Sequence, residues 1–516
     1  MDLYSALFPW QKNLIDKFKD RKSFGLFLDM GLGKTPISLA FAEANRCQKV
    51  IVITLNGKVN EPKTLVDSWY GWAARSNMDW TTFCKKEVVG QCSSDRNEVL
   101  VTNYESLFKR GSTEKTGLRL NDFLLEFIST CKGKNVAVIL DESHKVKSQH
   151  SKQSKAVDLI KRALSKHSEN VYMYLLSGTP FTTGYMDLYN QLKLLGCGWT
   201  KSMFKDQFCI MGHVYGLTEW QQPVVGYKNV DMLFALLHKY AITIDSKDVI
   251  DLPEQIFMKH VLKQTWQMKL FTWEKMIGND INAELTTRHE PTIIDYETQK
   301  KCHNPFYRNI AYPDMNWFAD TSGLFWLRAR QLSIGFQGNA TEAMWFDKSR
   351  LHALKKFLEE NRDNYVLFYN FTPELIELYD ICNELGYNID IFCGEIKSLS
   401  NYERYAKDLS NGIVKESNNI ILANFASGST GMNWQAYSHC IIFSMPVYLH
   451  YAQAIKRLHR VGQKNTVIYH VFCQDNFLDN GMWQALTETK DYNDKMFTSD
   501  LNRIQELSDI SRSSQS

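Results

Sequence analysis

The sequence lacks the features that mark membrane and secreted proteins. No apolar run approaches the roughly 20 residues that a membrane-spanning helix needs. The N-terminus, Met1-Asp2-Leu3-Tyr4, has no basic stretch that leads into an apolar one. The 11 cysteines never form a Cys-x-x-Cys pair, and their odd number favours buried or free thiols over disulfides or a zinc site. We therefore expect a cytoplasmic protein that does not contact a membrane.

The sequence also has little excess of either charge. Its formal net charge is +3, from 60 basic and 57 acidic residues. A chain that binds nucleic acid with its whole surface would be markedly basic. A nucleic-acid surface on this protein must therefore be a local groove, and only the motifs can show whether one exists.

Two series of short β-rich runs, separated by segments of helical length, are present. The first comprises residues 23–28, 50–54, 99–102, 136–140 and 171–176, and the second comprises 365–369, 389–392, 419–423, 440–443 and 466–472. Strands that alternate with helices form parallel sheets covered by helices on both faces. The predicted fold class is α/β, with two lobes that each contain one parallel sheet.

The pattern changes between the two series. Residues 264–277 have a helical period, with Trp266, Leu270, Trp273 and Ile277 on one stripe. This stripe is interpreted as packing between the lobes, with a protrusion that grips a duplex as the alternative. We predict a first lobe at 1–260, a helical connector at 261–345, a second lobe at 346–485, and a C-terminal helix with a polar tail at 486–516.

A glycine-rich loop joins the first predicted strand to a helix. Glycines such as Gly31 and Gly33 let backbone amides face an anion at the helix N-terminus. Lys34 would reach the β- and γ-phosphates of ATP, and Thr35 would hold Mg²⁺. A glycine turn without a ligand is the alternative. The predicted nucleotide-binding residues here are Met30, Gly31, Leu32, Gly33, Lys34 and Thr35.

Two adjacent carboxylates, Asp141 and Glu142, follow the run 136–140. The carboxyl ends of parallel strands are where α/β sheets bind ligands. Asp141 would bind Mg²⁺, and Glu142 would orient and deprotonate the attacking water. An exposed acidic turn is the alternative, which the phosphate loop upstream makes less attractive.

With Ser177-Gly178-Thr179-Pro180, these segments resemble motifs I, II and III of helicase superfamily two. The segments 8–11, 101–105 and 427–433 resemble its glutamine motif, motif Ib and motif V. Gln453-Ala454, with Arg457, Arg460 and Gly462-Gln463, resembles motif VI of the Swi/Snf-type ATPases. The resemblance covers residues 1–480 and implies two RecA-like lobes. Three segments depart from the family wording: Leu28-Asp29 stands where the family has Asp-Glu, 53–60 differs from motif Ia, and Ser444-Met445-Pro446 replaces the wording typical of eukaryotic members. The last departure indicates a bacterial or phage branch, so we expect the protein in a bacterial or phage-infected cytoplasm.

The resemblance implies roles for residues of both lobes. Catalysis would rest on Lys34, Glu142, Arg457 and Arg460, and the two arginines lie three apart on a predicted helix, so that both face one side. Gln11 would read adenine, Gly431 and Gln453 would contact the nucleotide, and Ser177 and Thr179 would couple the lobes. The implied DNA contacts are Thr102, Asn103, Tyr104, Asn370, Phe371, Thr372, Ser427, Gly428 and Ser429.

Three functions compete at this point. The first is an ATP-dependent translocase on double-stranded DNA, a monomer that remodels or displaces bound proteins. The second is a strand-separating DNA or RNA helicase on the same fold. The third is a non-enzymatic ATP-dependent clamp, against which Lys34, Glu142, Arg457 and Arg460 argue.

Overall fold

The computed structural model falls into two compact units, residues 1–251 and 252–516. It describes residues 2–109, 117–181, 184–212, 224–265, 292–294, 301–303, 322–338, 343–394, 396–413, 417–428 and 433–488. Within these ranges, none of the helices has both the length and the apolar character that crossing a membrane requires. Each unit contains one large sheet.

The sheet of the first unit has seven strands in the order β3-β4-β2-β5-β6-β1-β9, and all its pairs are parallel. A short antiparallel hairpin, β7 with β8, lies outside it. The strands are β1 Ser23–Leu28, β2 Lys49–Thr54, β3 Thr81–Cys84, β4 Glu98–Asn103, β5 Asn135–Asp141, β6 Asn170–Leu176, β7 Cys209–Met211, β8 Val224–Tyr227 and β9 Ala241–Ile244.

Helices cover both faces of this sheet. Along β2, Ile51 and Ile53 pack into one apolar cluster, while Val50 and Val52 pack into another on the opposite face. Such β-branched residues, buried on both sides, are typical of a central parallel strand. The helices are α1 Pro9–Phe18, α2 Lys34–Ala44, α3 Asn56–Val59, α4 Trp69–Ala73, α5 Asp122–Ser129, α6 Lys152–His167, α7 Asp187–Leu194, α8 Lys201–Phe208, α9 Val230–Tyr240 and α10 Ser246–Val249.

The sheet of the second unit also has seven strands, in the order β10-β20-β19-β15-β18-β16-β17. Its pairs are parallel except β16 with the short β17. Two small antiparallel hairpins join β11 to β12 and β13 to β14. The strands are β10 Gln255–Leu262, β11 Thr292–Ile294, β12 Lys301–His303, β13 Phe336–Gln337, β14 Met344–Trp345, β15 Tyr365–Tyr369, β16 Asn388–Phe392, β17 Lys397–Ser398, β18 Asn419–Asn424, β19 His439–Ile442 and β20 Val467–Gln474.

The helices described in the second unit follow the same layered plan. Those on its two faces bury separate apolar clusters, one around Phe368 and Trp434 and one around Leu367 and Tyr369. They are α11 Ser322–Ile334, α12 Ser349–Glu360, α13 Thr372–Glu384, α14 Ser400–Ser410, α15 Phe425–Gly428, α16 Tyr448–Ile455 and α17 Phe477–Thr487. The predicted α/β fold with two parallel sheets is therefore confirmed.

One boundary differs from the prediction. The first lobe was expected to end at 260, yet the compact units divide between Asp251 and Leu252. Strand β10 pairs along its whole length with β20, from Gln255 with Val467 to Leu262 with Gln474. A strand's own sequence does not identify a partner so far along the chain, so the pattern could not place β10 in the second sheet. The aromatic stripe from Trp266 to Ile277 lies outside the described residues.

Candidate nucleotide site

The phosphate loop fills the turn between β1 and α2. Gly31 and Gly33 have φ angles of 82° and 74°, a region that favours glycine. A Cβ on Gly33 would also lie 2.6 Å from the side-chain nitrogen of Gln11, so a larger residue would displace that amide. Because α2 begins at Lys34, its N-terminal amides lie at the end of this loop. The loop therefore has the geometry that binds an anion at a helix N-terminus.

Lys34 lies over the loop that precedes it. Its ammonium donates to the carbonyls of Leu28 (3.0 Å) and Asp29 (3.1 Å). Burial lowers the pKa of Lys34, and the nearby carboxylates of Glu142, Asp141 and Asp29 oppose that effect. The ammonium thus sits where it can move from two backbone carbonyls to a phosphate.

Gln11 holds α1 to the phosphate loop. Its side-chain oxygen accepts from the amide of Phe8 (2.9 Å), and its side-chain nitrogen donates to the carbonyl of Leu32 (2.9 Å). The side chain is buried. Both ends of the amide therefore already have backbone partners, and its reading of adenine stays a prediction.

Asp141 ends strand β5 and is held from the neighbouring strands. Its Oδ2 accepts from the Thr54 hydroxyl and from the Lys58 ammonium, both at 2.7 Å. The Tyr104 hydroxyl donates to its backbone carbonyl, also at 2.7 Å. Side chains from β2 and α3 thus hold this carboxylate, and Tyr104, in the turn after β4, holds the backbone of the same residue.

Glu142 follows in a strained backbone conformation. Its φ of 53° and ψ of 54° place a non-glycine residue in the left-handed region, a feature that clusters at functional sites. One carboxylate oxygen, Oε2, lies 3.3 Å from Nδ1 of His144. Burial alone would raise the pKa of Glu142, but His144 and the ammoniums of Lys58 and Lys34 outweigh it and keep the pKa below its usual range.

The residue types at this site suit a magnesium ion. Thr35, at the start of α2, carries a hydroxyl, and Asp141 carries a carboxylate, and both are hard oxygen ligands of the kind that Mg²⁺ prefers. The Oε2 atom of Glu142 is buried, and its described partner is Nδ1 of His144 at 3.3 Å. No group of three or more His, Cys, Asp and Glu side chains that could hold a metal occurs in the described part of the chain. An ion here would therefore also need substrate phosphates and water, as Mg²⁺ commonly does.

The third segment, Ser177 to Thr179, lies against the phosphate loop. The amide of Thr179 donates to the hydroxyl of Ser177 (3.1 Å), and Ser177 is buried. A Cβ on Gly178 would lie 3.0 Å from the side chain of Met30. The segment thus packs on the nucleotide loop of its own lobe, and its coupling to the second lobe stays a prediction.

The expected DNA contacts of the first lobe have little surface. Thr102, Asn103 and Tyr104 are at most 4% exposed, and burial raises the pKa of Tyr104. The side chain of Asn103 accepts from the Lys85 ammonium (2.6 Å) and donates to Glu105 (2.7 Å). In this conformation these residues support the carboxylate edge of the sheet.

The two arginines of the second lobe are not on a helix, so the prediction of a shared helical face is wrong. Helix α16 ends at Ile455, and the chain continues in turns. The carbonyl of Arg457 accepts from the backbone amide of Trp434 (2.9 Å). If the helix continued, that carbonyl would instead accept an intrahelical hydrogen bond. The Arg460 guanidinium donates to the side-chain oxygen of Asn433. Gln453 is buried on α16.

The remaining residues of the second lobe that were expected to contact DNA differ in their surroundings, since some are hydrogen-bonded within the protein and others are exposed. The side-chain amide of Asn370 donates to the carbonyl (3.1 Å) and the hydroxyl (2.8 Å) of Ser444. It also donates to the carbonyl of Met445 (3.1 Å). Phe371 is half-buried, with the Arg330 guanidinium 5.3 Å from its ring centre, and Thr372 is exposed. Ser427 and Gly428 are the last residues of α15, whereas Ser429 and Gly431 lie outside the described residues.

Sequence reasoning missed Lys58, Thr54 and His144 as parts of the site. Each was visible beside a predicted strand end. Lys58 lies in the segment 53–60, which differs from motif Ia of the resembled family, so no motif indicated a role for this lysine. The register of β2 against β5, with Ile53 opposite Leu140, brings Thr54 and Lys58 to Asp141, whereas His144 contacts Glu142.

Comparison with known proteins gives one family. The model of the SNF2-related domain matches residues 19–306. The ISWI chromatin-remodeling complex ATPase ISW2 of Saccharomyces cerevisiae is 22% identical over 489 residues, which cover 90% of this chain and 38% of the yeast protein. An uncharacterized ATP-dependent helicase of Mycoplasma pneumoniae is 22% identical over 507 residues, which cover 95% of this chain and 42% of that protein.

A solved structure, the Sulfolobus solfataricus SWI2/SNF2 ATPase core in complex with dsDNA, is 18% identical with a TM-score of 0.37 and covers 97% of this chain and 95% of that one. The chain spans 17% to 42% of the length of the curated relatives it matches. A Mycoplasma relative does not by itself establish the bacterial or phage branch, which stays a prediction.

Proposed function

The chain belongs to the SNF2-related domain family of helicase superfamily two, and on that premise we propose that it hydrolyses ATP to translocate on double-stranded DNA and displace or remodel bound proteins. The observation that carries the proposal is the pocket of the first lobe. There the loop ending at Lys34 lies close enough to Asp141 and Glu142 for their charges to act on its ammonium. A lysine, a helix N-terminus and paired carboxylates are what phosphoryl transfer from ATP needs.

Each group in the pocket has a distinct task. Lys34 would leave the carbonyls of Leu28 and Asp29 and neutralise charge on the terminal phosphates. A bound Mg²⁺, held by Thr35 and Asp141, would share that neutralisation. Because its pKa is low, Glu142 stays ionised at neutral pH and can accept a hydrogen bond from water, which orients that water for attack.

The second lobe would complete the reaction. We propose that Arg457 and Arg460 stabilise the charge of the transition state, and that Gln453 and Gly431 contact the nucleotide. An arginine in this role accelerates related phosphoryl transfers by roughly 10³- to 10⁵-fold. Release of their present partners, such as Asn433 for Arg460, would have to accompany that step.

The DNA contacts would be to phosphates. Hydroxyls and backbone amides at Thr372 and at Ser427 to Ser429 suit phosphate oxygens and carry no sequence information. We therefore propose that the protein binds DNA without regard to base sequence, and that this binding weakens as the salt concentration rises. Two observations support translocation on double-stranded DNA. The yeast relative is named as a chromatin-remodeling ATPase, and residues 453–463 resemble motif VI of the Swi/Snf-type ATPases.

A strand-separating helicase is the second candidate, favoured by the name of the Mycoplasma relative. Measuring ATP turnover with duplex DNA, single-stranded DNA and RNA separates the two. We expect duplex DNA to stimulate most, and we expect ATP-dependent displacement of a triplex-forming strand without separation of the duplex. Greater stimulation by single strands or RNA would overturn the translocase proposal, and the variant Glu142→Gln supplies the inactive control.

A further inference from the structure

An ammonium and a hydroxyl share one carboxylate oxygen of Asp141 at the edge of the pocket. The Lys58 ammonium lies 2.7 Å from Oδ2 of Asp141, and the hydroxyl of Thr54 bonds to that same oxygen. The Asp141 side chain is 3% exposed and that of Lys58 is 25% exposed, so this ion pair lies largely away from bulk water. Among the described residues, no hydrogen bond reaches the other carboxylate oxygen of Asp141.

The fold brings Lys58 to this point and holds it there. Strand β2 pairs with β5, and the single turn of α3 follows β2 directly at the same edge of the sheet. The hydroxyl of Tyr70 donates to the carbonyl of Val59 (2.7 Å), which ties the end of α3 to α4. The next lysine of this connection, Lys63, pairs instead with Glu87 (2.9 Å), with both side chains well exposed.

The charge balance of the pocket requires a cation near Asp141. Asp141 and Glu142 are consecutive carboxylates with little solvent, and like charges in such surroundings destabilise each other unless a cation balances them. The Lys34 ammonium is bonded to backbone carbonyls, so Lys58 is the lysine that makes direct contact with this carboxylate pair.

We propose that Lys58 is a positioning residue: it is the counter-ion of Asp141 while no metal is bound, and it yields that carboxylate when Mg²⁺ enters with ATP. The proposal rests on the part of the proposed function that concerns Mg²⁺-dependent ATP hydrolysis. It does not depend on which nucleic acid the protein binds. Its physical basis is repulsion. An ammonium in contact with a carboxylate lies within a few ångströms of any divalent ion on that carboxylate, and each must weaken the hold of the other.

The test is the affinity of the nucleotide-free protein for Mn²⁺, measured by electron paramagnetic resonance, in Lys58→Met, Lys58→Gln and the control Lys63→Met. Removing the charge at 58 should tighten Mn²⁺ binding by about tenfold or more, with either replacement, whereas the control should match the unchanged protein. A lysine that only stabilises the fold would leave Mn²⁺ affinity unchanged or weaker, and that result overturns the proposal.

Thermal melting provides a second measurement. In EDTA, Lys58→Met should melt at a lower temperature than the unchanged protein, because two carboxylates have lost their counter-ion. Millimolar Mg²⁺ should recover most of that loss in Lys58→Met and shift the unchanged protein less. A melting deficit that Mg²⁺ does not alter would also overturn the proposal. If the unchanged protein binds Mn²⁺ as expected but duplex DNA fails to stimulate it, only the proposed function fails.

Discussion

The two lobes carry their motif residues in different ways. In the first lobe, the expected nucleotide residues meet at the carboxyl ends of adjacent parallel strands, and side chains such as Thr54, Lys58 and Tyr104 brace Asp141 there. In the second lobe, Arg457 and Arg460 lie on turns after α16, and Asn370 is bonded to backbone carbonyls. A site on strand ends is set by the sheet itself, whereas a site on turns depends on contacts that can be exchanged. The comparison predicts a preformed pocket in the first lobe and residues in the second that change partners during turnover.

The largest expected effect is in the first lobe. Lys34→Ala should abolish measurable ATP turnover, because it removes the ammonium that bonds to the carbonyls of Leu28 and Asp29 at the phosphate loop. Circular dichroism and the melting temperature should stay close to those of the unchanged protein. Lys17→Ala, an exposed position on α1, is the control. A parallel loss of folded structure would mean that Lys34 mainly supports the loop.

The second effect tests the other side of the comparison. Arg460→Ala should keep ATP binding and slow single-turnover hydrolysis by roughly 10³-fold or more, the range for a lost arginine in phosphoryl transfer. Arg362→Ala, whose exposed side chain donates to the carbonyl of Leu385, is the matched control in the same lobe. Unimpaired single-turnover hydrolysis would contradict the role of Arg460.

A third prediction concerns pH and distinguishes the stability of the lobes. In the second lobe, the ring nitrogens of His470 lie 3.2 Å from His260 and 3.4 Å from His439, and His439 lies 3.4 Å from Asp363. Burial, with smaller contributions from the two other histidines, lowers the pKa of His470 to about 4, and burial also lowers that of His260. Folding thus favours the neutral ring, so stability is present above pH 6.5 and is lost as the pH falls toward 4.

Urea unfolding at pH 7.5 and pH 5 measures this effect. The second lobe should lose about 1–2 kcal/mol of stability over that interval, and His470→Gln should remove most of the difference. His238→Gln, an exposed histidine of the first lobe, should leave it unchanged. Equal acid sensitivity in His470→Gln would show that the titrating group lies elsewhere.

The sequence predicted the elements better than their partners. All ten expected strands are present, because their β-branched runs are local signals, and Asp141 and Glu142 follow one of them as expected. The end of α16 was not predictable, since residues 448–461 contain no glycine or proline and the contact that takes the carbonyl of Arg457 comes from Trp434. Strand β10 and Lys58 were missed for the same reason. Their roles depend on which strands are neighbours, and pairing between distant segments leaves no local pattern.

The smallest expected effect tests whether Tyr104, which supports Asp141 in the first lobe, also contacts DNA. Tyr104→Phe removes one buried hydrogen bond, that to the carbonyl of Asp141, so it should cost about 1 kcal/mol of stability. Because Tyr104 is 1% exposed, the affinity for duplex DNA and its salt dependence should not change. Thr372→Ala, at an exposed position of the second lobe, should weaken DNA binding at low salt without a comparable loss of stability. Loss of DNA affinity in Tyr104→Phe, with stability intact, would mean that the edge of the first sheet opens to the duplex and that its pocket is less preformed than the comparison of the lobes implies.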